Sequence, residues 1–314
     1  MRMKLTVLSV AAVALIVLFM IYQAGGNWDY VLPSRGKKLV AILITGAVIA
    51  VSTIVFQSIT NNRILTPSIL GLDSLYMLIQ TFGVFALGSA NMTFMNKNIN
   101  FMFSATLMVL FSGLLYKLMF RREGQNIYFL LLVGLIMGTM FQSASSFMEV
   151  LIDPNEFLVL QGKMFASFNN VSSDLLILST VILALTTLYF MRFTKYLDVI
   201  SLGRDEAINL GLDYEYIVKR LLMVIAIFVS ISTALVGPIT FLGLLVANVA
   251  HQLFRTYKHQ YLIPGAILLS IVALVGGQFL VERVFGFTTT VSVIINFAGG
   301  VYFVHLLLKE NKSW

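Results

Sequence analysis

Residues 39–57 read LVAILITGAVIAVSTIVFQ and contain no charged side chain. About 20 helical residues cross the roughly 30 Å of hydrocarbon in a bilayer, so this stretch is long enough to span a membrane. A shorter apolar run at 239–254 is predicted to be a short or broken helix, because unpaired backbone is not tolerated in lipid. Runs comparable to 39–57 occur at 5–23, 66–88, 99–119, 127–147, 173–191, 219–236, 261–281 and 288–308. The predicted fold class is therefore all-α and polytopic, with about ten transmembrane helices.

The composition supports a lipid environment. Of the 314 residues, 59% are hydrophobic and only 11% are charged. Soluble proteins carry roughly 25% charged residues, so too few are present here to coat a water-facing surface. The net charge of +7 does not indicate a nucleic-acid partner, because the basic residues lie in short loops between apolar runs. Cysteine is absent and the three histidines are scattered, so no metal site is expected.

The distribution of lysine and arginine predicts the orientation. If the N-terminus is cytoplasmic, fifteen of the 21 basic residues fall on the inside and six on the outside. Since basic residues concentrate in cytoplasmic loops, both termini are predicted to be cytoplasmic. The run at 5–23 has no convincing cleavage site and is expected to remain as the first span. Residues 1–314 form a single transmembrane domain, with an extracytoplasmic stretch at 148–172 and a cytoplasmic one at 192–219, both expected to contain short helices.

Few titratable residues fall within the apolar runs, which bears on the energy source. Carriers driven by protons or sodium usually keep carboxylates or histidines at membrane depth. Only Asp73 plausibly lies there, either as a cap of a helix that begins after Pro67 or as a transport residue. A proton-coupled carrier therefore remains an alternative, and it requires Asp73. A membrane-embedded enzyme is disfavoured, because no His/Asp/Glu cluster is evident. No P-loop motif occurs, so ATP would have to be hydrolysed by another subunit.

A cytoplasmic stretch could receive such a subunit. Residues 201–212 read SLGRDEAINLGL, with acids in the first turn of a predicted short helix and Gly211 at its end. Ile208, Leu210 and Leu212 give this helix an apolar side. It could fit a groove on a partner or lie on the protein's own surface.

Several short motifs follow one another in order along the chain. They are Arg35-Gly36-Lys37-Lys38, Gln57, NRILTP at 62–67, Leu70-Gly71, LGRDEAINLG at 202–211, GPITFLGL at 237–244, Arg283, and GGVYFVHLL at 299–307. With these motifs the chain resembles the FecCD family of permeases from about residue 35 onward. That family includes the vitamin B12 importer permease and many iron–siderophore permeases. The chain departs from the family pattern at 247–251, where P-H-x-x-R is missing, and at Phe279 and Val301, which replace an aspartate and a proline.

The resemblance implies an ABC importer in the bacterial cytoplasmic membrane. The permease would pair with a second permease subunit, identical or different, and receive substrate from an extracytoplasmic binding protein. Two cytoplasmic ATPase subunits would supply the work, so this chain would have no catalytic residue and no cofactor of its own, and ATP and magnesium would belong to the partner. The substrate would be a ferric siderophore or, alternatively, heme or a corrinoid.

The resemblance also assigns residues to these roles. Arg35, Lys38 and Arg283 match positions that dock the binding protein, although they could instead anchor helix ends near lipid headgroups. The substrate path is expected to involve Asp73, Gln142 and Ser145. Gly134 and Gly138 lie on the same face of the predicted helix 127–147 as Gln142, and they could equally indicate tight helix packing. The ATPase would dock on residues 198–219, through Leu202, Gly203, Glu206, Ala207, Leu210 and Gly211.

Overall fold

The structure is a computed structural model that describes residues 1–23, 25–26, 28–88, 96–119 and 127–310. The described residues form thirteen α-helices: α1 (Arg2–Ile21), α2 (Trp28–Thr60), α3 (Leu72–Leu87), α4 (Lys97–Met119), α5 (Ile127–Leu151), α6 (Pro154–Met164), α7 (Ser173–Met191), α8 (Leu197–Ile200), α9 (Arg204–Asn209), α10 (Tyr214–Val236), α11 (Leu242–Phe254), α12 (His259–Arg283) and α13 (Val291–Glu310). Two 3₁₀ turns, Pro67–Leu70 and Thr194–Tyr196, complete the secondary structure in this part of the chain.

Ten of these helices are apolar enough to lie in a membrane. Seven are long enough to cross it, namely α1, α2, α4, α5, α7, α10 and α12, and three shorter apolar helices are α3, α11 and α13. These ten helices coincide with the ten predicted runs. The polytopic all-α prediction is therefore confirmed.

The core is built around α2 and α10. Helix α2 packs against α12, α10 and α11, and α10 also packs against α4 and α7. Helix α1 packs mainly on α12, and α3 packs on α5. The interior of α2 buries Ser52, Thr53 and Gln57 among its apolar residues. Because helices in lipid associate by packing and hydrogen bonding, such small polar side chains are suited to helix interfaces.

Helix α2 begins at Trp28, well before the predicted start at residue 39. The apolar run stops at residue 39 because Arg35, Lys37 and Lys38 interrupt it. The helix continues through them because Arg35 and Lys38 find partners on neighbouring helices, described below. Tertiary contacts thus extend a helix that hydropathy alone starts too late along the chain.

The predicted span at 66–88 is broken by a close backbone contact. A 3₁₀ turn over Pro67–Leu70 ends at Gly71, which has a left-handed φ of 78°, and α3 follows. A Cβ at Gly71 would lie 2.9 Å from Cα of Gly138, and one at Gly134 would lie 2.8 Å from Cα of Leu70. These three glycines let the turn approach α5 closely, so the packing interpretation of Gly134 and Gly138 is confirmed.

The two longer connections contain short helices, as predicted. Between α5 and α7, Asp153 caps α6 by accepting a hydrogen bond from the Asn155 amide at 2.8 Å. Between α7 and α10 lie the second 3₁₀ turn, α8 and α9. The first connection lies near the end of the molecule that holds Arg35 and Arg283, since Lys38 and Asn169 line one pocket there.

Candidate docking surfaces and translocation path

The proposed ATPase-docking segment is a short exposed helix held by one buried side chain. Ala207 on α9 is fully buried, whereas Leu202 is 55% exposed and Leu210 is 66% exposed. Glycines flank α9 on both sides, Gly203 with φ of 106° and Gly211 with φ of 82°. Left-handed backbone favours glycine, and here it turns the chain sharply into and out of the helix. The result is a small projecting helix with apolar side chains directed away from the protein.

Charged groups surround this apolar surface. Glu206 is exposed on α9, and Arg204 lies 3.5 Å from Glu215 and 3.6 Å from Asp205. Because these pairs are well exposed, they contribute little to stability. Asp213 caps α10 by accepting from the Tyr216 amide at 3.2 Å, which fixes the end of the segment. An apolar centre with a charged rim is typical of a surface that receives a partner.

At the opposite end of the molecule, the side chain of Arg35 forms hydrogen bonds within the protein. Arg35 is only 8% exposed. Its guanidinium donates hydrogen bonds to the carbonyls of Phe19, Met20 and Tyr22 at 2.9 Å each and of Gln23 at 3.2 Å. These carbonyls belong to the C-terminal end of α1, where backbone acceptors have no helical partner and cations are favoured. Arg35 therefore joins α2 to the end of α1 inside the protein, a structural role that differs from the predicted anchoring near lipid headgroups.

Lys38 and Arg283 lie in the same region and have different hydrogen-bond partners. Lys38 donates to Glu282 Oε1 at 2.8 Å in a largely buried ion pair. Gln278 donates to the same Glu282 oxygen at 2.7 Å. Arg283 is half-buried and donates to Gln23 Oε1 at 2.9 Å and to the Tyr22 carbonyl at 3.2 Å. Of the three basic residues predicted at this surface, Arg35 is buried, whereas Lys38 and Arg283 are each half-buried.

Asp73 lies in the first turn of α3, whose N-cap is Gly71, so it is not the cap residue itself. Its carboxyl interacts by hydrogen bonding with Ser68, Thr233 and Thr240. These groups line a cavity of about 20 Å³, which has room for about one water molecule. The helix N-terminus also favours an anion here. Asp73 therefore joins α3 to α10 and the Gly237–Gly243 region in a site far smaller than a metal chelate.

Gln142 and Ser145 face different surroundings. Ser145 is buried, and its hydroxyl donates to the Phe141 carbonyl of its own helix at 3.0 Å. Gln142 is exposed on the surface of α5. The structure therefore does not bring Asp73, Gln142 and Ser145 to one cavity within this chain.

The structure reveals a polar stripe that sequence reasoning did not identify. Thr139, Gln142, Ser143 and Ser146 are all exposed on α5, at spacings of three and four residues. Such spacing places them on one face of a helix. Between them lie exposed apolar residues such as Met140 and Phe147. The 3.6-residue periodicity of these polar side chains is visible in the sequence and could have been used to find the stripe.

Comparisons with known proteins decide the family. The model of the FecCD transport family matches residues 3–309. This chain belongs to the FecCD transport family. It is 64% identical over 313 residues to the petrobactin import system permease protein YclO of Bacillus subtilis, covering 100% of this chain and 99% of YclO. It is 38% identical over 280 residues to the petrobactin import system permease protein FatC of Bacillus anthracis, covering 89% and 79% of the two chains.

A second Bacillus subtilis protein with the same system in its name is less similar. The petrobactin import system permease protein YclN is 24% identical over 280 residues, covering 88% of this chain and 85% of YclN. Among solved structures, a metal-chelate type ABC transporter in an inward-facing conformation matches with a TM-score of 0.78 at 20% identity, covering 97% of this chain and 98% of that one. This match shows that the fold is that of an ABC transporter permease.

Membership of the FecCD family has consequences for how the chain works. A permease of an ABC importer hydrolyses no ATP itself, and its family implies a permease partner, ATPase subunits and a binding protein. No cofactor of its own is suggested. Within the described ranges, no group of three or more His, Cys, Asp or Glu residues could hold a metal ion.

Proposed function

We infer that this chain is the membrane-spanning permease subunit of an ABC importer that moves a ferric siderophore across the bacterial cytoplasmic membrane. The single observation that carries this inference is the 64% identity, over the whole chain, to a petrobactin import permease. The ten-helix fold and the exposed α9 surface support it. ATP is hydrolysed by a separate subunit.

The proposed substrate is ferric petrobactin or a close chemical relative. It is tested by uptake of ⁵⁵Fe in membrane vesicles that contain the chain, its partner permease, the ATPase and the binding protein. We expect uptake of iron chelated by petrobactin to exceed uptake of iron presented as heme, and competition by a corrinoid to be absent. Equal or faster uptake of heme or the corrinoid would overturn the siderophore assignment.

The second permease subunit is proposed to be a different chain. YclO and YclN carry the same system name in one organism, and this chain is 64% identical to one and 24% identical to the other. A heterodimer therefore follows if the systems are organised alike. The test is co-expression of this chain with a YclN-like partner, each with its own affinity tag. Recovery of the two tags in separate complexes would contradict the proposal.

We propose that α9 docks the ATPase, as the exposure of Leu202 and Leu210 supports. Burying a leucine side chain contributes roughly 1.5–3 kcal/mol, and an arginine in its place would also bring an unpaired charge. Leu210→Arg should therefore weaken ATPase binding by at least roughly tenfold. Leu158→Arg is the matched control, because Leu158 is 65% exposed on α6, outside the 192–219 segment. Equal ATPase recovery with both variants would remove this assignment.

The binding protein is proposed to dock at the end of the molecule that holds Arg283, which is half-buried, and Lys37, which is exposed on α2. The commitment of Arg35 to α1 carbonyls supports a structural role for that residue instead. Lys38 is neutralised by Glu282 and would contribute less than Arg283. Cationic residues at the rim of an interface mainly accelerate association with an acidic partner.

The substrate path is proposed to run along the polar stripe of α5, in which Gln142 carries the one amide side chain. Exposed polar side chains in an apolar helix are poorly suited to contact lipid. The stripe is better placed against the second permease or a wet path between the two. Gln142→Leu should reduce uptake while leaving ATPase binding unchanged, and normal uptake by this variant would exclude Gln142 from the path.

A further inference from the structure

Three side chains distant in the sequence form a continuous hydrogen-bonded chain that begins at residue 198, the first residue of the predicted docking segment 198–219. Asp198 lies on α8, His259 is the first residue of α12, and Ser58 lies near the end of α2. His259 Nδ1 is 2.6 Å from Asp198 Oδ1, and His259 Nε2 is 2.6 Å from Ser58 Oγ. The backbone amide of His259 also donates to Asp198 Oδ1, at 2.9 Å. The imidazole is 5% exposed, so both of its nitrogens are used inside the protein.

The hydrogen-bond donors and acceptors define how the imidazole ring of His259 is held. The carboxylate of Asp198 only accepts, so Nδ1 of His259 carries the proton between them. The hydroxyl of Ser58 lies 2.9 Å from the carbonyl of Ile54, one turn earlier on α2. The ring is therefore fixed at one edge by α8 and at the other by α2, while its own backbone begins α12.

The order Ser–His–Asp resembles that of a hydrolase triad, but the surroundings differ. Hydrolase nucleophiles lie beside preorganised N–H donors that stabilise an oxyanion. Ser58 lies inside α2, where backbone amides are used in helical hydrogen bonds, and its hydroxyl contacts a carbonyl of the same helix. The geometry therefore favours a mechanical role over a chemical one.

The hydrogen-bonded set Asp198–His259–Ser58 lies between α9 and the turn that follows α2. Asp198 precedes α9 by six residues, on a helix whose Leu197 and Ile200 are buried. After Ser58, the turn is held because the carbonyl of Arg63 accepts from Gln57 at 2.6 Å and from Asn248 of α11 at 2.9 Å. A cavity of about 140 Å³ lies against Ser58, Arg63 and His259.

The same turn leads directly to α5. Residues 61–66 connect α2 to the 3₁₀ turn at Pro67–Leu70, which is in backbone contact with Gly134 and Gly138 of α5. Helix α5 carries the exposed polar stripe. A continuous set of contacts therefore runs from α8 through His259 and Ser58 to the end of α2, and from there to α5. Coupling between distant sites requires such physically connected elements.

We propose that the Asp198–His259–Ser58 chain is the positioning element that transmits movement of the ATPase-docking segment to α2 and, through residues 61–71, to α5. This inference rests on the proposed docking of the ATPase at α9. His259 is thus a positioning residue for transport, acting through its neighbours without touching the substrate. Breaking either of its hydrogen bonds should separate ATP hydrolysis from transport.

The test measures ATP hydrolysed per solute transported in proteoliposomes that contain the whole importer. His259→Asn keeps a donor near the Nδ1 position but loses the hydrogen bond to Ser58. Ser58→Ala removes the other partner of this His259–Ser58 bond. We expect both variants to retain the ATPase and to raise the ratio of ATP to solute by roughly fivefold or more. Combined, they should raise it no further, because they break one shared contact.

Ser112→Ala is the matched control. Ser112 is buried in α4 and, like Ser58, its hydroxyl lies 2.9 Å from the carbonyl four residues earlier, on Met108. It lies on a helix apart from the His259 chain, so its substitution should leave the ratio unchanged. If His259→Asn does not fold, which thermal unfolding would reveal, Ser58→Ala decides the outcome alone.

The results that would overturn the proposal differ from those that would overturn docking. An unchanged ratio in Ser58→Ala with bound ATPase would refute the transmission role. Loss of the ATPase from Ser58→Ala would also refute it, because the chain would then shape the docking surface itself. Docking is tested separately by Leu210→Arg, which should lose the ATPase while the His259 chain is intact.

Discussion

The contact between Gly134 and the turn before α3 makes a specific prediction about packing. In Gly134→Ala, the new Cβ would lie 2.8 Å from Cα of Leu70 and 3.0 Å from the carbonyl oxygen of Ile69. Carbon atoms pack best at about 3.5–4.0 Å, so the turn would have to move away by several tenths of an ångström or more. Both neighbours are backbone atoms, which cannot relax by a change of rotamer.

The change in the free energy of unfolding of Gly134→Ala follows from two opposing effects. Alanine is favoured over glycine in a helix by up to about 1 kcal/mol, while inserting an extra carbon into a well-packed site costs about 1–3 kcal/mol. Gly276→Ala on α12 isolates the first effect, because nothing lies within 4 Å of its Cβ position. Gly134→Ala should therefore be less stable than Gly276→Ala by about 1–3 kcal/mol.

The assay is thermal or denaturant unfolding of the two purified variants in the same detergent, followed by circular dichroism. Uptake by Gly134→Ala should also fall, because the displaced turn joins the end of α2 to α5 and carries the base of α3. Equal stability of the two alanine variants would refute the close packing of this turn on α5.

Four further predictions concern the outer surface and Asp73. Arg35→Met should destabilise the chain by about 2 kcal/mol or more in the same unfolding assay, because the α1 carbonyls lose a charged donor; unchanged stability would contradict its structural role. Arg283→Glu should slow association of the binding protein and reduce its salt dependence, measured by surface plasmon resonance, and an effect on dissociation alone would argue against rim steering. Asp73→Asn should retain ATP-driven uptake, since its cavity holds about one water molecule; arrest of uptake with the ATPase still bound would support the proton-coupled alternative. Burial lowers the pKa of the Lys163 amine to about 8, so the acylation rate of Lys163, measured by peptide mapping at several pH values, should reach half of its maximum near pH 8, and a midpoint near that of the exposed lysines would contradict this.

The spans could be predicted from hydropathy because lipid requires long apolar helices. All ten appear in the structure, and the short helices of the two longer connections were also expected. The early start of α2 could not be predicted, since it depends on Arg35 reaching carbonyls of α1. The break at Gly71 was equally hidden, because its cause is a contact with Gly138, which lies far along the chain.

The candidate sites were predicted unevenly for the same physical reason. The local pattern of apolar and charged residues around α9 allowed either docking on a partner or packing on the protein's own surface, and the structure exposes the flanking Leu202 and Leu210. The roles of Arg35 and Ser145 depend on which neighbours they face, which spacing along one helix does not specify. The Asp198–His259–Ser58 chain joins three elements, and nothing in the local sequence of any one indicates the other two.

The central claim is that this permease receives its work from a separate ATPase through α9. The most direct measurement is concentrative uptake of the ferric siderophore into proteoliposomes, with the ATPase and ATP either present or omitted and with any proton gradient collapsed. We expect uptake against a gradient only when ATPase and ATP are both present, and its loss in Leu210→Arg. Uphill transport by permease subunits without the ATPase would contradict the claim.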